Sequence, residues 1–546
     1  MKNKFKYIAA AFIASAAMTS CADLDTEYLG GYVSTDQKQE VVNGNPDMAV
    51  AGVSGIFSQF NTYMSLYDEH FDFGYPALML GLDLQTADMN CNHSGYNHFR
   101  YWQGFTSPDD QGTPAAYAWY QMYRQIKIEN DLLASLDPTS DNEEIRFFRA
   151  QALATRSYNY WVLANLFQFN YKWHQDDLCV AIITDENSDE AAVNGAPRAT
   201  VKEVFEQIMS DITAAIDILD NCTVNASQLI DSKPKRMISR AAAYGLRARY
   251  NLTMGKYADA AQDAQRAIAT FDGSPYTVAQ AGAPGFVNLD DNSWMWGIAI
   301  SETDRVVTSG IVNFPSMISS LGGGGYTSVG VWKACAQDLY NSIPDTDVRK
   351  GWFLDDNWTS PNLSADQQGF LSNYVGSWTL GQTDAPYLIP HTNVKYGTYN
   401  NVLGQTVPAA DIPMMRVEEM YYIKAEGQAM SGDVDGGRAT LEAFVKEYRN
   451  PSYTCRATTA DAMQEEIFQQ RRVELWGEGL IYFDYLRLRK GVDRRNALCP
   501  DYYRYNIPAE SPCLIYCIPY QEFNTNRGMA GQDNNERSDR PVALPL

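Results

Sequence analysis

The sequence predicts a mainly α-helical fold: a scaffold of about four helix pairs of tetratricopeptide type, interrupted by one loop-rich insertion that carries the ligand-binding subdomain. Three observations carry this expectation. Apolar residues recur at helical spacing in two blocks, residues 40–272 and 411–546. Two helix pairs within them, residues 237–270 and 413–449, have the length of a tetratricopeptide unit, about 34 residues. Between the blocks, residues 273–410 keep their aromatic residues and lose the 3.6-residue period.

In the first block, Thr113 at an N-cap and Pro114 at the first helical position predict a helix over residues 114–137. Trp119, Met122, Ile126, Leu133 and Leu136 line it. A second long helix runs from Glu143 to about Phe169. Thr200 and Glu203 have the spacing of a capping box, followed by one apolar stripe through Val201, Val204, Phe205, Ile208, Ile212, Ala215 and Leu219. Residues 237–270 form two helices around Gly255, where small alanines allow close antiparallel packing. Residues 413–449 repeat the arrangement: Met420, Ile423, Gly427 and Met430 lie on one helix, and Gly432 to Gly437 turn the chain. Leu441, Phe444, Val445 and Tyr448 lie on the other. The insertion contains Gly322 to Gly325, several prolines and frequent Trp, Tyr and Phe, which argue for a packed, loop-rich subdomain bearing a site rather than for disorder.

The N-terminus has the pattern of an export signal over residues 1–20. Lys2, Lys4 and Lys6 precede an apolar run from Ile8 to Ala17 and the small residues Thr19 and Ser20. The run is shorter than the roughly 20 residues a spanning helix needs. Met18-Thr19-Ser20-Cys21 resembles a bacterial lipobox, which implies cleavage before Cys21 and a lipid on its thiol; the alternative is an ordinary signal peptide whose Cys21 only begins the mature chain. Acyl chains anchor through about 0.8 kcal/mol per buried methylene. Asp23, Asp25 and Glu27 follow, an acidity similar to signals that send lipoproteins to the cell surface. The mature chain, residues 21–546, is expected to be one domain.

Residues 1–20 hold three lysines and no acid, so their removal takes the formal charge from −23 to −26. Such a chain lacks the clustered cations that nucleic-acid phosphates require and excludes nucleic acid as a partner. Cys499, Cys513 and Cys517 lie near one another with no histidine in the segment, so no metal site and no cofactor is expected. His93 and His98 are close enough to meet in a loop. The charged set Arg471, Arg472, Glu474, Glu478, Asp484 and Arg487 reads as a structural ion-pair network near a helix end.

Several landmarks occur in a fixed order. The first are Ala118-Trp119-Tyr120 with Asn130, Pro197-Arg198-Ala199-Thr200 before Phe205 and Asp211, and Ser239-Arg240-Ala241-Ala242 before Leu246 and Tyr250. Pro413 follows with Arg416, Glu419, Tyr422 and Glu426, then Arg471-Arg472, Glu474-Leu475, Gly477-Glu478-Gly479 and Phe483-Asp484. Together with the lipobox they resemble the SusD/RagB family of glycan-binding lipoproteins, over nearly the whole length. One departure is Asn526-Arg527-Gly528, where the family has Asn-Pro. The resemblance implies a non-enzymatic protein of the outer membrane, lipid-anchored at Cys21 and exposed on the cell surface. Such a protein captures an oligosaccharide and delivers it to a SusC-like TonB-dependent transporter. Alternatives are a peptide-binding member of the same family, a plain peptide-binding adapter, or a glycoside hydrolase on a helical scaffold.

A non-catalytic glycan site needs flat aromatic faces and a few amides or carboxylates for hydroxyls. Two clusters offer them. One is Asp88 to Gln103, with Asn90, Asn92, Tyr96, Asn97, Phe99, Tyr101 and Trp102; the other is Trp294, Trp296, Tyr326, Trp332 and Trp358. The residues expected to stack are Tyr101, Trp102, Trp296 and Tyr326, with Asn90 and Asn97 binding hydroxyls. Against this, Trp294 and Trp296 also suit one inward and one outward position of a strand.

Overall fold

The computed structural model describes residues 39–544 except 41, 43, 46, 92–94, 108, 230–231, 311, 377–386 and 537–540. The export signal, Cys21 and the acidic residues after it lie outside the described residues. The scaffold helices are α1 (Asp47–Gln59), α2 (Tyr75–Gln85), α3 (Thr113–Ser135), α4 (Glu143–Phe167), α5 (Val201–Asp220), α6 (Arg240–Met254) and α7 (Tyr257–Thr270). They continue after the insertion as α8 (Val417–Met430), α9 (Val434–Tyr448), α10 (Ala460–Glu474) and α11 (Ile481–Arg487).

The fold is mainly helical, with a scaffold of tetratricopeptide type. Helix α3 packs on α4, α4 on α5, α5 on α6 and α6 on α7. Helix α7 then packs on α8, and α8 on α9 and α10, so the stack runs on as if the intervening insertion were absent. The capping box at the start of α5 forms: Thr200 Oγ1 accepts from Glu203 N at 3.2 Å and Glu203 Oε2 accepts from Thr200 N at 2.8 Å. Its predicted stripe is buried throughout. Gly255 ends α6 with φ 73°, and its N–H bonds back to the last turn.

Two local expectations need correction. Gly112, not Thr113, precedes α3 and has no side chain with which to cap it; the helix ends at Ser135. Asp433 caps α9 by accepting from Gly436 N at 2.9 Å, so Gly436 and Gly437 lie inside the helix rather than in the turn. Gly437 is there for contact: a Cβ on it would stand 2.6 Å from Ala425 O on α8. Gly427 serves the α7–α8 contact in the same way, with a virtual Cβ 2.8 Å from Ala261 Cβ.

The strands are short: β1 (Met89–Asn90), β2 (Leu178–Ala181), β3 (Arg198–Thr200), β4 (Trp294–Ile298), β5 (Ala334–Cys335) and β6 (Ile412–Arg416). Strands β4 and β6 pair antiparallel, Trp294 opposite Arg416 and Ile298 opposite Ile412, which ties the two ends of the insertion together. Strands β1 and β5 also pair antiparallel, Met89 opposite Cys335. That short ladder brings the segment around residue 90 against the insertion.

A buried ionic network joins insertion to scaffold. Arg416 reaches Glu474 at 3.1 Å and Glu478 at 2.8 Å; Arg449 reaches Glu474 at 2.8 Å and Glu418 at 3.1 Å. Lys395, from the insertion, reaches Glu478 at 2.7 Å. Burial pushes the Glu474 carboxyl up, but the guanidiniums of Arg449, Arg416 and Arg349 outweigh it and hold the group well below the usual range. Arg471 and Arg487 both bond Asp484, at 2.7 and 2.6 Å, and Arg472 bonds Asp88 at 3.0 Å. The predicted charged set is therefore a set of ion pairs in the interior.

Candidate functional site

The connection between α1 and α2 forms one wall. Asp72 is buried there, and its Oδ2 accepts from Leu66 N at 2.7 Å and Tyr67 N at 2.5 Å. This folds residues 61–72 into a tight loop that leaves His70 exposed and Tyr63 half-buried. Across from it, the β1–β5 ladder delivers His98 from one segment and Tyr326 from the other. The imidazoles of His70 and His98 stack, with centroids 4.5 Å apart and planes at 22°. Tyr326 meets both edge-on, at 5.8 Å and 5.6 Å, and its hydroxyl hydrogen-bonds to His70 Nδ1. Burial lowers the His98 imidazole to about 4, helped by His70, Arg100 and Lys333, so His98 is neutral at physiological pH. Burial, and then Tyr63, pushes the Tyr326 hydroxyl up to about 12.

Beside this aromatic cluster lies a cleft of about 790 Å³, lined by Phe57, Tyr63, Lys233, Arg236, Trp296, Arg305 and Tyr399 among others. Tyr63 is fixed by its hydroxyl, which donates to Ser309 O at 2.7 Å, and by the Arg305 guanidinium 5.3 Å from its ring. Lys233 is neutralised by Asp411 at 2.7 Å. Arg236 and Arg305 also line the cleft; Arg236 Nε is buried there with no hydrogen-bond partner among the described residues, and Arg305 lies against the Tyr63 ring. Hence an aromatic edge, cationic side chains and a volume of ligand size adjoin one another.

The predicted site residues divide by accessibility. Tyr326 is 8% exposed and belongs to the cluster. Tyr101 is half-buried at the start of the short helix Arg100–Gln103; its hydroxyl accepts from Arg100 Nη2 at 2.9 Å and the guanidinium lies 4.6 Å from its ring. Trp296 is buried between Phe60 and Tyr158 at 5.8 and 5.1 Å, with Nε1 donating to Arg236 O at 3.2 Å, and edges the cleft. Trp294 is buried too, so the strand has no outward tryptophan. Trp102 has no open face: Phe71, Phe99 and Tyr117 surround it at 5.2, 5.5 and 5.9 Å. Asn97 and Asn90 are likewise buried. Asn97 Nδ2 donates to Gln103 Oε1 at 2.7 Å and Oδ1 accepts from Phe99 N, which spends the amide on its own turn.

His70 and Tyr63 were not singled out from the sequence, and nothing in their neighbourhood marks them. His98 finds a histidine partner, but it is His70; His93 lies outside the described residues. Among the described residues no group of three or more His, Cys, Asp or Glu is placed to hold a metal, and no helix is long and apolar enough to cross a membrane.

These features define a class: a helical-repeat scaffold with a loop-rich insertion and an aromatic-edged cleft between the two. Two family models match the chain, one of SusD-like proteins described as starch-binding and associating with the outer membrane over residues 80–252, and that of the SusD family over residues 350–540. The chain belongs to the SusD/RagB family of carbohydrate-binding proteins. Its fold is similar to that of a SusD-like carbohydrate-binding protein from Bacteroides vulgatus, with 21% identity and TM-score 0.71 over 89% of this chain and 97% of that one. A SusD superfamily protein from Bacteroides thetaiotaomicron aligns at 20% identity and TM-score 0.69, over 90% and 99% of the two chains. A laminarin-binding SusD-like protein aligns at 18% identity and TM-score 0.60, over 89% and 98%. No curated protein sequence matches the chain.

Proposed function

We propose that this protein captures an extracellular oligosaccharide without cleaving it, at the surface formed by Tyr63, His70, Tyr101 and Tyr326 and the adjoining cleft edged by Trp296. It passes the ligand to a TonB-dependent transporter in the same outer membrane, to which a lipid on Cys21 holds it, facing the medium. The observation that carries the reading is the His70–His98–Tyr326 cluster standing beside an open cleft lined by Arg236 and Arg305. Flat rings suit the C–H faces of sugars, and fixed donors suit their hydroxyls.

The carboxylates near the cleft support binding without hydrolysis. A glycosidase needs two carboxyls flanking one bond, one of them kept protonated. Asp411, whose carboxyl burial raises, is saturated by Lys233, Ile300 N and Leu289 N. Of the two carboxylates that line the cleft, Asp304 accepts from Ser301 N at 2.9 Å, which commits it to its own turn, and Glu302 is hydrogen-bonded with the Tyr399 hydroxyl.

Incubation with a panel of polysaccharides tests the reading. The expected result is retardation on native affinity gels with no shorter sugars released. The double variant His70→Ala, Tyr326→Ala should bind at least about tenfold more weakly, since an aromatic contact contributes about 0.5–1.5 kcal/mol beyond its area. Release of shorter sugars would sink the binding-only reading, and retention of peptides in place of glycans would move the ligand class. Cys21→Ser should leave the membrane fraction, and the wild type should be cleaved by protease added to intact cells.

A further inference from the structure

Trp173 stands apart from the site described above. It follows α4, is 43% exposed, and is the one exposed tryptophan among those described. Its backbone is fixed: Trp173 N donates to Asn170 O at 3.1 Å, and Asn170 Nδ2 donates to Thr253 O at 2.9 Å on α6. Lys172 Nζ lies 4.9 Å from the indole and the Arg489 guanidinium 5.1 Å. Arg489 is ion-paired to Glu510. Both of these residues hold left-handed backbones, φ 51° and 55°, a conformation that costs a non-glycine residue roughly 1–2 kcal/mol. Glu510 also meets His174 Nε2 at 3.3 Å, and Asp177 meets His174 Nδ1 at 2.6 Å.

The arrangement is built rather than incidental. An indole left half in water forgoes part of the roughly 1.5–3 kcal/mol that burying a large apolar side chain contributes. Two strained residues are locked to one another beside it, and such outliers collect where a surface is preorganised for a ligand. The scaffold packs without the cluster, through the helix contacts of α4, α5 and α6. What the cluster offers is a partly accessible aromatic ring with two cations over it and paired acceptors beside it. Lys172 and Arg489 balance Glu510 and Asp177, so the rim favours a polar ligand without net charge.

We propose that Trp173 and its ion-paired rim form a second saccharide subsite, for neutral sugar units of the same polymer that occupies the cleft; this rests on the glycan-binding reading above. The subsite shares no residue with the cleft. A short oligosaccharide fills one subsite at a time, whereas a polymer engages both and gains effective concentration.

The test compares wild type with Trp173→Ala and Trp173→Phe on affinity gels containing laminarin, amylopectin, dextran or galactomannan. Titration with the tetrasaccharide cut from whichever polymer is retained completes it. The expected result is a loss of about tenfold or more in polymer affinity for Trp173→Ala and a smaller loss for Trp173→Phe. Tetrasaccharide affinity should stay within twofold of wild type. Residual polymer retardation in Tyr63→Ala should disappear when Trp173→Ala is added. Unchanged polymer affinity in Trp173→Ala would overturn the subsite and leave the cleft intact. An equal fall for tetrasaccharide and polymer would overturn it as well, because the residue would then act through the fold. If wild type retains none of the polymers, the glycan-binding reading falls and the subsite with it.

Discussion

Glu129 makes an unusual demand on the protein. It lies on α3 with no exposed surface; one carboxyl oxygen accepts from Asn159 Nδ2 on α4 at 2.7 Å, and the other has no partner among the described residues. Burial pushes the carboxyl up to about 8, against the pull of Asn159, Thr155 and Arg156. In the unfolded chain the same group ionises near 4.5. The folded state therefore holds a proton that the unfolded state releases, and stability falls as pH rises from about 4.5 to about 8. Each pH unit in that window costs about 1.4 kcal/mol, so moving from pH 5 to pH 7 costs about 2 to 3 kcal/mol. Glu129→Gln keeps an acceptor for Asn159, can donate to the Thr155 hydroxyl beside it, and cannot titrate. Urea unfolding of both proteins at pH 5, 6, 7 and 8 should show the variant gaining on wild type by about 2 to 3 kcal/mol between pH 5 and 7, then levelling off above about 8. A difference that is the same at pH 5 and pH 7 would mean the carboxyl is ionised in the folded protein, and the reasoning would fail.

Three further outcomes follow from packing and charge. Arg416→Met removes the cation that faces Glu418, Glu474 and Glu478, all buried, and should lower unfolding free energy by about 3–5 kcal/mol in urea, because uncompensated charge stays behind. Gly427→Ala places a Cβ 2.5 Å from Tyr257 O and should cost about 1–3 kcal/mol despite the better helix propensity of alanine. Gly55→Ala on α1, where a Cβ meets nothing within 4 Å, should instead gain up to about 1 kcal/mol; equal shifts for the two would refute the close-approach account.

The scaffold was legible because its information is local. The α5 stripe needs only a 3.6-residue period, and the Thr200–Glu203 box needs only a three-residue spacing. Charge was legible in kind: Arg471 and Glu474 read as ion-paired, although the sequence did not say that the pairs are buried. The site was legible only as composition. Trp102 and Tyr101 are neighbours of similar type, yet one is sealed in the core and the other half-exposed. What decides between them is the packing of Phe71 and Tyr117, both outside the Asp88 to Gln103 segment, against Trp102 at 5.2 and 5.9 Å. The contact between His70 and Tyr326 spans 256 positions, so no window along the sequence contains it.

The ionic network explains how the insertion is kept in place. Lys395 comes from the insertion, Arg416 from β6, Glu418 from α8, and Glu474 from α10, so one buried cluster fixes the insertion to three parts of the scaffold. Lys395 also donates to Glu474 O and Trp476 O at 3.0 and 2.7 Å. Buried pairs of this kind add little net stability compared with apolar packing, but they are costly to break and tolerate few alternative partners. The insertion is thereby held in one register at its base, while Tyr63 and His70 stand on the α1–α2 connection. Substituting Tyr63 or His70 should then change ligand affinity and leave the urea midpoint nearly unmoved, whereas any change at Arg416 should move the midpoint first.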